Sequence, residues 1–239
     1  MRRFALRHFF ASDPGRSWRP ASSVSGRYEA GGAGTESMLC KGLCVQLMTD
    51  EMAKRYVFLD RDGVINKDSP DYVKSWSEFE FLPGSLDAIR LLTENNYLVV
   101  IITNQSIINR KMASLDDLEF IHARMKKAVK DGGGEIKEIF FCPHTPEDGC
   151  SCRKPEPGLI LEALKKYGID AKDSVMVGDN AKDIECARRA GCRYAILVKT
   201  GNYEQAVSAL EEKKIFPDHI ALDLYEAAEW IIANADNSK

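Results

Sequence analysis

Short apolar runs of strand length alternate with segments of helical period along the chain beyond residue 55. This alternation predicts a parallel sheet flanked by helices. The runs are apolar throughout, as in LVVIIT at residues 98–103, so both faces of the sheet should be buried. Right-handed crossovers then wind the chain to both sides of the sheet. The predicted fold class is therefore α/β, with a Rossmann-like, doubly wound parallel sheet.

The same pattern places each element by residue. The expected strands are Tyr56–Asp60, Leu98–Thr103, Ile139–Cys142, Val175–Gly178, Tyr194–Val198 and His219–Leu222. The expected helices are Leu86–Asn95, Leu115–Lys130, Leu159–Lys166, Asn180–Ala190, Tyr203–Glu212 and Leu224–Ala233. In open parallel sheets, ligands bind beyond the carboxyl ends of the strands. The side chains that directly follow each apolar run are therefore the candidates for a functional site.

Residues 1–52 differ from the rest of the chain, because arginine and serine are frequent there and acidic residues are few. This composition resembles an organellar transit segment. We favour instead a disordered extension, or a start assigned too far upstream, with Met48 or Met52 as the true start. Cys40 and Cys44 have no second cysteine pair nearby, so no metal is assigned to them. The folded domain is expected over residues 53–235.

The overall composition disfavours several classes of function. A net charge of −3 and a pI near 5.9 are unlike the basic character of proteins that bind nucleic-acid phosphates. No apolar run reaches the roughly 18 residues of a transmembrane helix, so no membrane partner is expected. The seven cysteines are an odd number and follow no signal peptide, which argues against a disulfide framework. We expect a monomeric, cytoplasmic protein.

Asp60 and Asp62 stand two residues apart at the end of the first expected strand, in YVFLDRDGVIN. Two acids this close repel each other unless a cation lies between them. Mg²⁺ prefers hard oxygen ligands, and these two carboxylates with Asp179 would suit it. Asp60 could then attack phosphorus to form an aspartyl-phosphate, while Asp62 could deliver and remove protons. The ordinary alternative is a strand followed by an Asp-Gly turn.

Polar side chains also end the second and fourth expected strands. Thr103 and Asn104 could cradle a phosphoryl oxygen, although both residue types also favour helix N-caps. Asp179 could bind Mg²⁺ while Asp183 orients the site, or Asp179 could simply cap the helix that follows it. Each of these residues alone is weak evidence for a functional site. Their predicted position at the same edge of the sheet is what supports one.

The segment CPHTPEDGCSCRKP carries the strongest local signal. Four soft ligands fall within eleven residues of it: Cys142, His144, Cys150 and Cys152. The absence of a carboxylate from this set predicts a closed, structural Zn²⁺ site rather than a catalytic one. Arg153 and Lys154 follow the last ligand directly, so the loop should aim two cations at the sheet edge. Lys154 can neutralise a phosphoryl group, and Arg153 can bind the remainder of a substrate.

DRDGVIN, TNQS, RKP and GDNAKD resemble the successive motifs of the haloacid dehalogenase superfamily of phosphatases. The cysteine-rich loop narrows the resemblance to the branch with D-glycero-D-manno-heptose 1,7-bisphosphate phosphatases and histidinol-phosphate phosphatases. The resemblance runs from about Tyr56 to Val207 and implies a haloacid dehalogenase-like fold with no large cap domain. It implies hydrolysis of a small phosphorylated sugar, foremost heptose bisphosphate at its 7-phosphate, with histidinol phosphate as the alternative.

The same resemblance implies roles for individual residues. Asp60 would be the nucleophile and Asp62 the proton donor. Mg²⁺ would bind Asp60, the main-chain carbonyl of Asp62, and Asp179, with Asp183 in support. The residues expected to contact the substrate are Asp68, Tyr72, Thr103, Asn104, Gln105, Ser106, Arg153, Lys154 and Asn180.

Three residues depart from the family pattern. Ile107 and Lys111 stand where glycines usually follow TNQS, and Asn180 stands where heptose enzymes often carry a lysine. These departures leave the phosphoryl-transfer groups intact and bear only on the choice of substrate. Two other classes of function stay open: a receiver-like phosphorylation switch, and an inactive, zinc-bound interaction module.

Overall fold

The computed structural model describes residues 55–234, in which six strands form one parallel sheet. The strands are β1 Arg55–Leu59, β2 Tyr97–Asn104, β3 Ile136–Cys142, β4 Ser174–Gly178, β5 Tyr194–Val198 and β6 His219–Ala221. Their spatial order is β3-β2-β1-β4-β5-β6, which is the doubly wound arrangement with β1 in the middle. The positions Cys40, Cys44, Met48 and Met52 lie outside the described residues.

Among the described residues, five helices connect these strands and a sixth follows β6, and together they cover both faces of the sheet. They are α1 Ser85–Glu94, α2 Leu115–Asp131, α3 Gly158–Tyr167, α4 Ala181–Ala190, α5 Tyr203–Lys213 and α6 Leu224–Ala233. On one face, Val57 and Leu59 of β1 share a core with α1, α2 and α6. On the other face, Tyr56 and Phe58 share a core with α3, α4 and α5. Burial on both faces explains why the strands are apolar without alternation.

All twelve elements expected from the sequence are confirmed, with ends that differ by no more than three residues. The largest difference is at β3, which begins at Ile136 because its first residues alternate in exposure and lack a continuous apolar pattern. Three short 3₁₀ turns were not expected: Trp76–Glu78, Pro146–Asp148 and Ala171–Asp173. Each is one turn long, too short for a periodic pattern to reveal it.

The connections at the carboxyl edge of the sheet are loops rather than inserted domains. Residues 60–84 join β1 to α1, and residues 105–114 join β2 to α2. The expected absence of a large cap between these elements is therefore confirmed for the described chain. None of the described helices is both long enough and apolar enough to span a lipid bilayer.

Candidate active site

The carboxyl ends of β1, β2 and β4 surround a small cavity of about 150 Å³. Most of the side chains expected from the sequence line it: Asp60, Asp62, Asp68, Tyr72, Thr103, Asn104, Gln105, Arg153, Lys154, Asp179, Asn180 and Asp183. The parallel register brings them together, because residues that end neighbouring strands meet at one edge. Leu59 of β1 pairs with Ile101 of β2 and Val177 of β4, so the chain leaves all three strands at nearly the same level.

Lys154 lies between two carboxylates at the floor of this cavity. Its Nζ atom is 2.9 Å from Asp60 Oδ1 and 2.6 Å from Asp183 Oδ1, and the lysine side chain is 2% exposed. Burial alone would lower the pKa of Lys154, but the charges of Asp183 and Asp60 outweigh it and raise that pKa. Lys154 therefore stays protonated and can neutralise charge beside Asp60.

Burial raises the pKa of Asp60 to about 7, even though Lys154 opposes this rise and Asp183 adds to it. The Asp60 carboxylate also accepts a hydrogen bond from the backbone N–H of Arg61, at 2.7 Å. A further cation near Asp60 would favour its ionised form, which is the form that can act as a nucleophile.

Asn104 fixes the position of Lys154 from the neighbouring strand. Its side-chain Oδ1 accepts from the backbone N–H of Lys154 at 3.1 Å, and its Nδ2 donates to the carbonyl of Lys154 at 3.2 Å. This reciprocal pair binds the loop after β3 to the end of β2. The contact gives Asn104 a positioning role that sequence reasoning, which assigned Asn104 to the substrate, did not anticipate.

Asp62 is held by a network of donors. Its Oδ1 accepts from Arg61 Nη2 at 2.9 Å and from Asn66 Nδ2 at 2.8 Å, and its Oδ2 accepts from Gln105 Nε2 at 2.8 Å. Burial by itself would raise the pKa of Asp62, but the charge of Arg61 and these hydrogen bonds lower it. Asp62 is therefore ionised at neutral pH and fixed in one orientation.

The guanidinium of Arg61 is 1% exposed and reaches beyond Asp62 to helix α2. Its Nη1 lies 3.3 Å from Nε2 of His122. Burial, followed by the charge of Arg61, lowers the pKa of His122 to about 3, so the imidazole is neutral. Since a guanidinium can only donate, His122 Nε2 must accept this hydrogen bond. Arg61 is thus oriented from both ends.

Asp179 completes a cluster of carboxylates. One oxygen each from Asp60, Asp179 and Asp183 lie within 4.8 Å of one another. Burial, followed by the charges of Asp183 and Asp60, raises the pKa of Asp179 to about 8. A set of hard oxygen ligands under mutual repulsion suits a divalent cation such as Mg²⁺, which would favour the ionised carboxylates.

The four soft ligands expected from the sequence also converge. The three Sγ–Sγ distances among Cys142, Cys150 and Cys152 are 3.2, 3.3 and 3.6 Å, and His144 Nδ1 lies 3.2 Å from Cys152 Sγ. A tetrahedral Zn²⁺ with Zn–S bonds of about 2.3 Å separates its sulfurs by about 3.7 Å, whereas a disulfide requires about 2.05 Å. These distances exclude a disulfide, and the four side chains are close enough together to hold a metal ion.

Most of the residues expected to contact the substrate line the cavity, but Ser106 does not. Tyr72 and Arg153 line the cavity, and Arg153 Nη1 also donates to the carbonyl of His144 at 2.9 Å. Asn180 lines it as well, but its side chain caps α4 by accepting from the N–H of Lys182. Ser106 is buried outside the cavity lining, where its Oγ accepts from Arg110 Nε at 3.4 Å.

The two residues that replace family glycines have separate explanations. Ile107 is 1% exposed and packs into the interior. Lys111 has a φ of 56°, in the left-handed region that a glycine would adopt without cost. Neither residue lines the cavity.

Four residues that line the cavity were not expected from the sequence: Arg61, Val73, Lys182 and Asn202. The sequence analysis assigned no role to Arg61 or Lys182. Asn202 follows β5, whose end carries no carboxylate and so gave no chemical signal. The rule that ligands bind beyond the carboxyl ends of strands would have found Asn202, had it been applied to β5.

The strand order argues against a receiver-like switch. Receiver domains have the order 2-1-3-4-5, whereas this sheet has the order 3-2-1-4-5-6. Asp62 also argues against a switch. Three donors fix its carboxylate close to Asp60, where it can act as an acid or a base and favour loss of the phosphoryl group that a switch must retain.

Comparisons with known proteins identify the family to which the chain is similar. A family model described as HAD-hydrolase-like matches residues 151–227. The D-glycero-β-D-manno-heptose-1,7-bisphosphate 7-phosphatase of Pseudomonas aeruginosa is 45% identical over 150 residues, which cover 63% of this chain and 84% of the relative. The D-glycero-D-manno-heptose-1,7-bisphosphate 7-phosphatase of Thermosynechococcus vestitus is 35% identical over 191 residues, which cover 75% of this chain and 96% of the relative.

A solved structure gives the same result. It is the crystal structure of the D,D-heptose 1,7-bisphosphate phosphatase of Bordetella bronchiseptica in complex with magnesium and phosphate. Its TM-score is 0.71 at 39% identity, and the match covers 75% of this chain and 99% of that one. The chain therefore belongs to the haloacid dehalogenase-like phosphatases, in the branch of the D-glycero-D-manno-heptose 1,7-bisphosphate phosphatases.

Proposed function

We propose that this protein is a Mg²⁺-dependent phosphatase that removes the 7-phosphate of D-glycero-D-manno-heptose 1,7-bisphosphate through an aspartyl-phosphate. The observation that carries the proposal is the arrangement of Asp60, Asp62, Lys154 and Asp179 around one cavity. The heptose substrate is supported by relatives of 35% and 45% identity that carry this name.

In the first step, a carboxylate oxygen of Asp60 attacks phosphorus and the bond to the sugar oxygen breaks. Lys154, 2.9 Å from Asp60, offsets the negative charge that builds up on the transferring group. The sugar oxygen leaves with a proton from Asp62. In the second step, Asp62 removes a proton from water, which attacks the phosphorus and releases Asp60.

The protonation of Asp62 follows from its surroundings. Its pKa is lowered in the free enzyme, chiefly because Arg61 and the other donors outweigh burial, so Asp62 begins as the base. An incoming phosphate monoester brings negative charge close to the carboxylate, and a nearby like charge raises a carboxyl pKa. Binding of the substrate thus protonates Asp62, and donation of that proton to the leaving sugar oxygen returns Asp62 to the ionised form that the second step requires.

The metal sites have different tasks. Asp60, Asp179 and the main-chain carbonyl of Asp62 would hold Mg²⁺, which neutralises phosphoryl charge when bound. Cys142, His144 and the two other cysteines would hold a structural Zn²⁺ that fixes the loop carrying Arg153 and Lys154. Three thiols must stay reduced to bind zinc, so we place the protein in the cytoplasm.

The size of the cavity supports a small, partly exposed substrate. A volume of about 150 Å³ receives a phosphoryl group and leaves the sugar at the rim. Asp68, Tyr72 and Arg153 are among the residues that line the cavity. Carboxylate and phenol groups suit sugar hydroxyls, while Arg153 suits a second phosphate. We expect the monomer to carry a complete site, since all these residues belong to one chain.

A comparison of substrates tests the proposal. Initial rates with Mg²⁺ would be measured on heptose 1,7-bisphosphate, histidinol phosphate and p-nitrophenyl phosphate, for wild type and Asp60→Asn. We expect kcat/KM to be highest on heptose bisphosphate, with the heptose 1-phosphate as product by ³¹P NMR and no rate in the variant. Equal kcat/KM on all three compounds would refute the substrate, and an active Asp60→Asn would refute the mechanism.

A further inference from the structure

The turn after β5, Thr200-Gly201-Asn202, contacts three separate parts of the site. Thr200 Oγ1 donates to the carbonyl of Gly63, in the turn that follows Asp62, at 2.5 Å. The backbone N–H of Asn202 donates to Asp179 Oδ2 at 3.2 Å. The side-chain Nδ2 of Asn202 donates to Asp68 Oδ2 at 3.3 Å. One short segment therefore connects the metal-binding carboxylate with the rim of the cavity.

The carboxylate of Asp179 is enclosed between two glycines. A Cβ atom at Gly201 would lie 1.9 Å from Asp179 Oδ2, and one at Gly63 would lie 2.3 Å from the same atom. Real Cβ atoms do not approach oxygen so closely, so either side chain would force Asp179 to move. Gly63 also has a φ of +80°, which by itself favours glycine, whereas Gly201 has no such backbone requirement. At Gly201, the closeness of Asp179 is the reason that only glycine fits.

We propose that the Thr200–Asn202 turn is a positioning element that holds Asp179 in the orientation for Mg²⁺ and ties it to Asp68 at the sugar side. This inference rests on the proposed function. Asp179 has a pair of oxygens, and the N–H of Asn202 engages one of them while the glycines restrict rotation of the group. Outer contacts of this kind orient metal ligands, and their loss usually costs 10- to 100-fold in metal affinity.

The first test removes the hydrogen bond from Asn202 to Asp179. Asn202 has a φ of −84°, close to the range of proline, so Asn202→Pro replaces the donating N–H with a ring carbon that presses on Asp179 Oδ2. Asn202→Ala is its matched control, because it loses the same side chain and keeps the N–H. Calorimetric titration with Mg²⁺ alone should give about 10-fold weaker binding for the proline variant and near wild-type binding for the alanine variant. Equal Mg²⁺ affinity in the two variants would overturn the metal part of the proposal.

The second test adds bulk at the enclosed face. Gly201→Ala should weaken Mg²⁺ binding by about 10-fold or more, since Asp179 must rotate to admit a methyl group. Gly132→Ala is the control, because its Cβ would lie 3.4 Å from the nearest atom and it has no left-handed φ. Circular dichroism and thermal unfolding would establish that both variants fold. Wild-type Mg²⁺ affinity in a folded Gly201→Ala protein would contradict the enclosure.

The third test addresses the link to Asp68. We expect Asn202→Ala to raise KM for heptose bisphosphate about 3- to 10-fold with little change in kcat, as loss of one hydrogen bond would. The same substitution should change KM by less than about 2-fold in an Asp68→Ala background, because the partner is already gone. If the effects of Asn202→Ala and Asp68→Ala on KM are additive in the double variant, the proposed link between Asn202 and Asp68 is wrong. The Mg²⁺ titrations use no substrate, so they stand or fall independently of whether heptose bisphosphate is the physiological compound.

Discussion

The two raised carboxyl pKa values make the stability of the metal-free protein depend on pH in an unusual direction. Most native carboxylates have lowered pKa values, so proteins usually gain stability as pH rises from acid toward neutral. Here burial raises the pKa of Asp60 to about 7 and that of Asp179 to about 8, from an ordinary value of 3.8. The folded state therefore binds more protons than the unfolded state at neutral pH. Its free energy of unfolding must fall as pH rises through these values.

The size of this effect follows from the pKa values. Between pH 6 and pH 8.5, a group with a folded pKa of about 7 loses about 1 kcal/mol, and one with a pKa of about 8 loses about 3 kcal/mol, because it stays protonated over more of this range. The sum of about 4 kcal/mol corresponds to a fall in Tm of roughly 8 to 16 °C for a domain of this size. Mg²⁺ binds only the ionised carboxylates, so its stabilising effect must grow over the same range of pH.

Thermal unfolding from pH 6 to pH 8.5, with chelator or with saturating Mg²⁺, measures this dependence. The window stays above the pH at which thiol protonation would release zinc. Asp179→Asn should flatten the metal-free slope and remove the gain with Mg²⁺. The exposed Asp173→Asn serves as the control and should leave both unchanged. A Mg²⁺ effect of equal size at both ends of the window, or an unaltered slope in Asp179→Asn, would refute the reasoning.

Three further predictions concern the groups around Asp60 and Asp62. Cys150→Ala should lose zinc, measured by metal analysis, and lower kcat by roughly 10-fold because the loop carrying Lys154 loosens; full activity without zinc would contradict this. Lys154→Met leaves two buried carboxylates without their cation, so we expect a loss of about 3–5 kcal/mol in chemical denaturation without metal, and a 10²- to 10³-fold lower kcat. Wild-type stability or wild-type kcat in Lys154→Met would contradict the ion pairs of Lys154 with Asp60 and Asp183. His122→Leu should lower kcat about 3- to 10-fold by releasing Arg61, without changing the pH–rate profile, since burial and Arg61 lower the pKa of His122 to about 3; loss of a limb near pH 6.5 would contradict a neutral imidazole.

Much of the architecture was predictable because its causes are local. A strand buried on both faces must be apolar throughout, and LVVIIT fulfils this condition within eight residues of β2. The ligand spacing of the cysteine-rich loop is equally local, and so is the pair Asp60 and Asp62. The rule that sites form at the carboxyl ends of strands then predicts that these residues meet at one edge of the sheet.

The contacts that orient the site were not predictable in the same way. Asn104 holds the backbone of Lys154 across 50 residues, and Arg61 meets His122 across 61 residues. Such pairs depend on how β2 and α2 pack beside the loops. The type of a residue does not indicate which distant residue it will contact. Gly201 is a similar case, because its requirement comes from the nearness of Asp179 and not from its own backbone. Residues that act by orienting others carry no chemical signature in the sequence.

The central claim is that Asp60 receives the phosphoryl group, and the variant Asp62→Asn offers the most direct measurement. An aryl phosphate needs no proton for its leaving group, so this variant should still phosphorylate Asp60 and then fail to activate the water. We predict a burst of one equivalent of p-nitrophenol per protein with Mg²⁺. After an acid quench, borohydride should convert position 60 into homoserine, identified by peptide mass spectrometry. A burst that leaves Asp60 unmodified, or a phosphoryl group on a different residue, would contradict the mechanism.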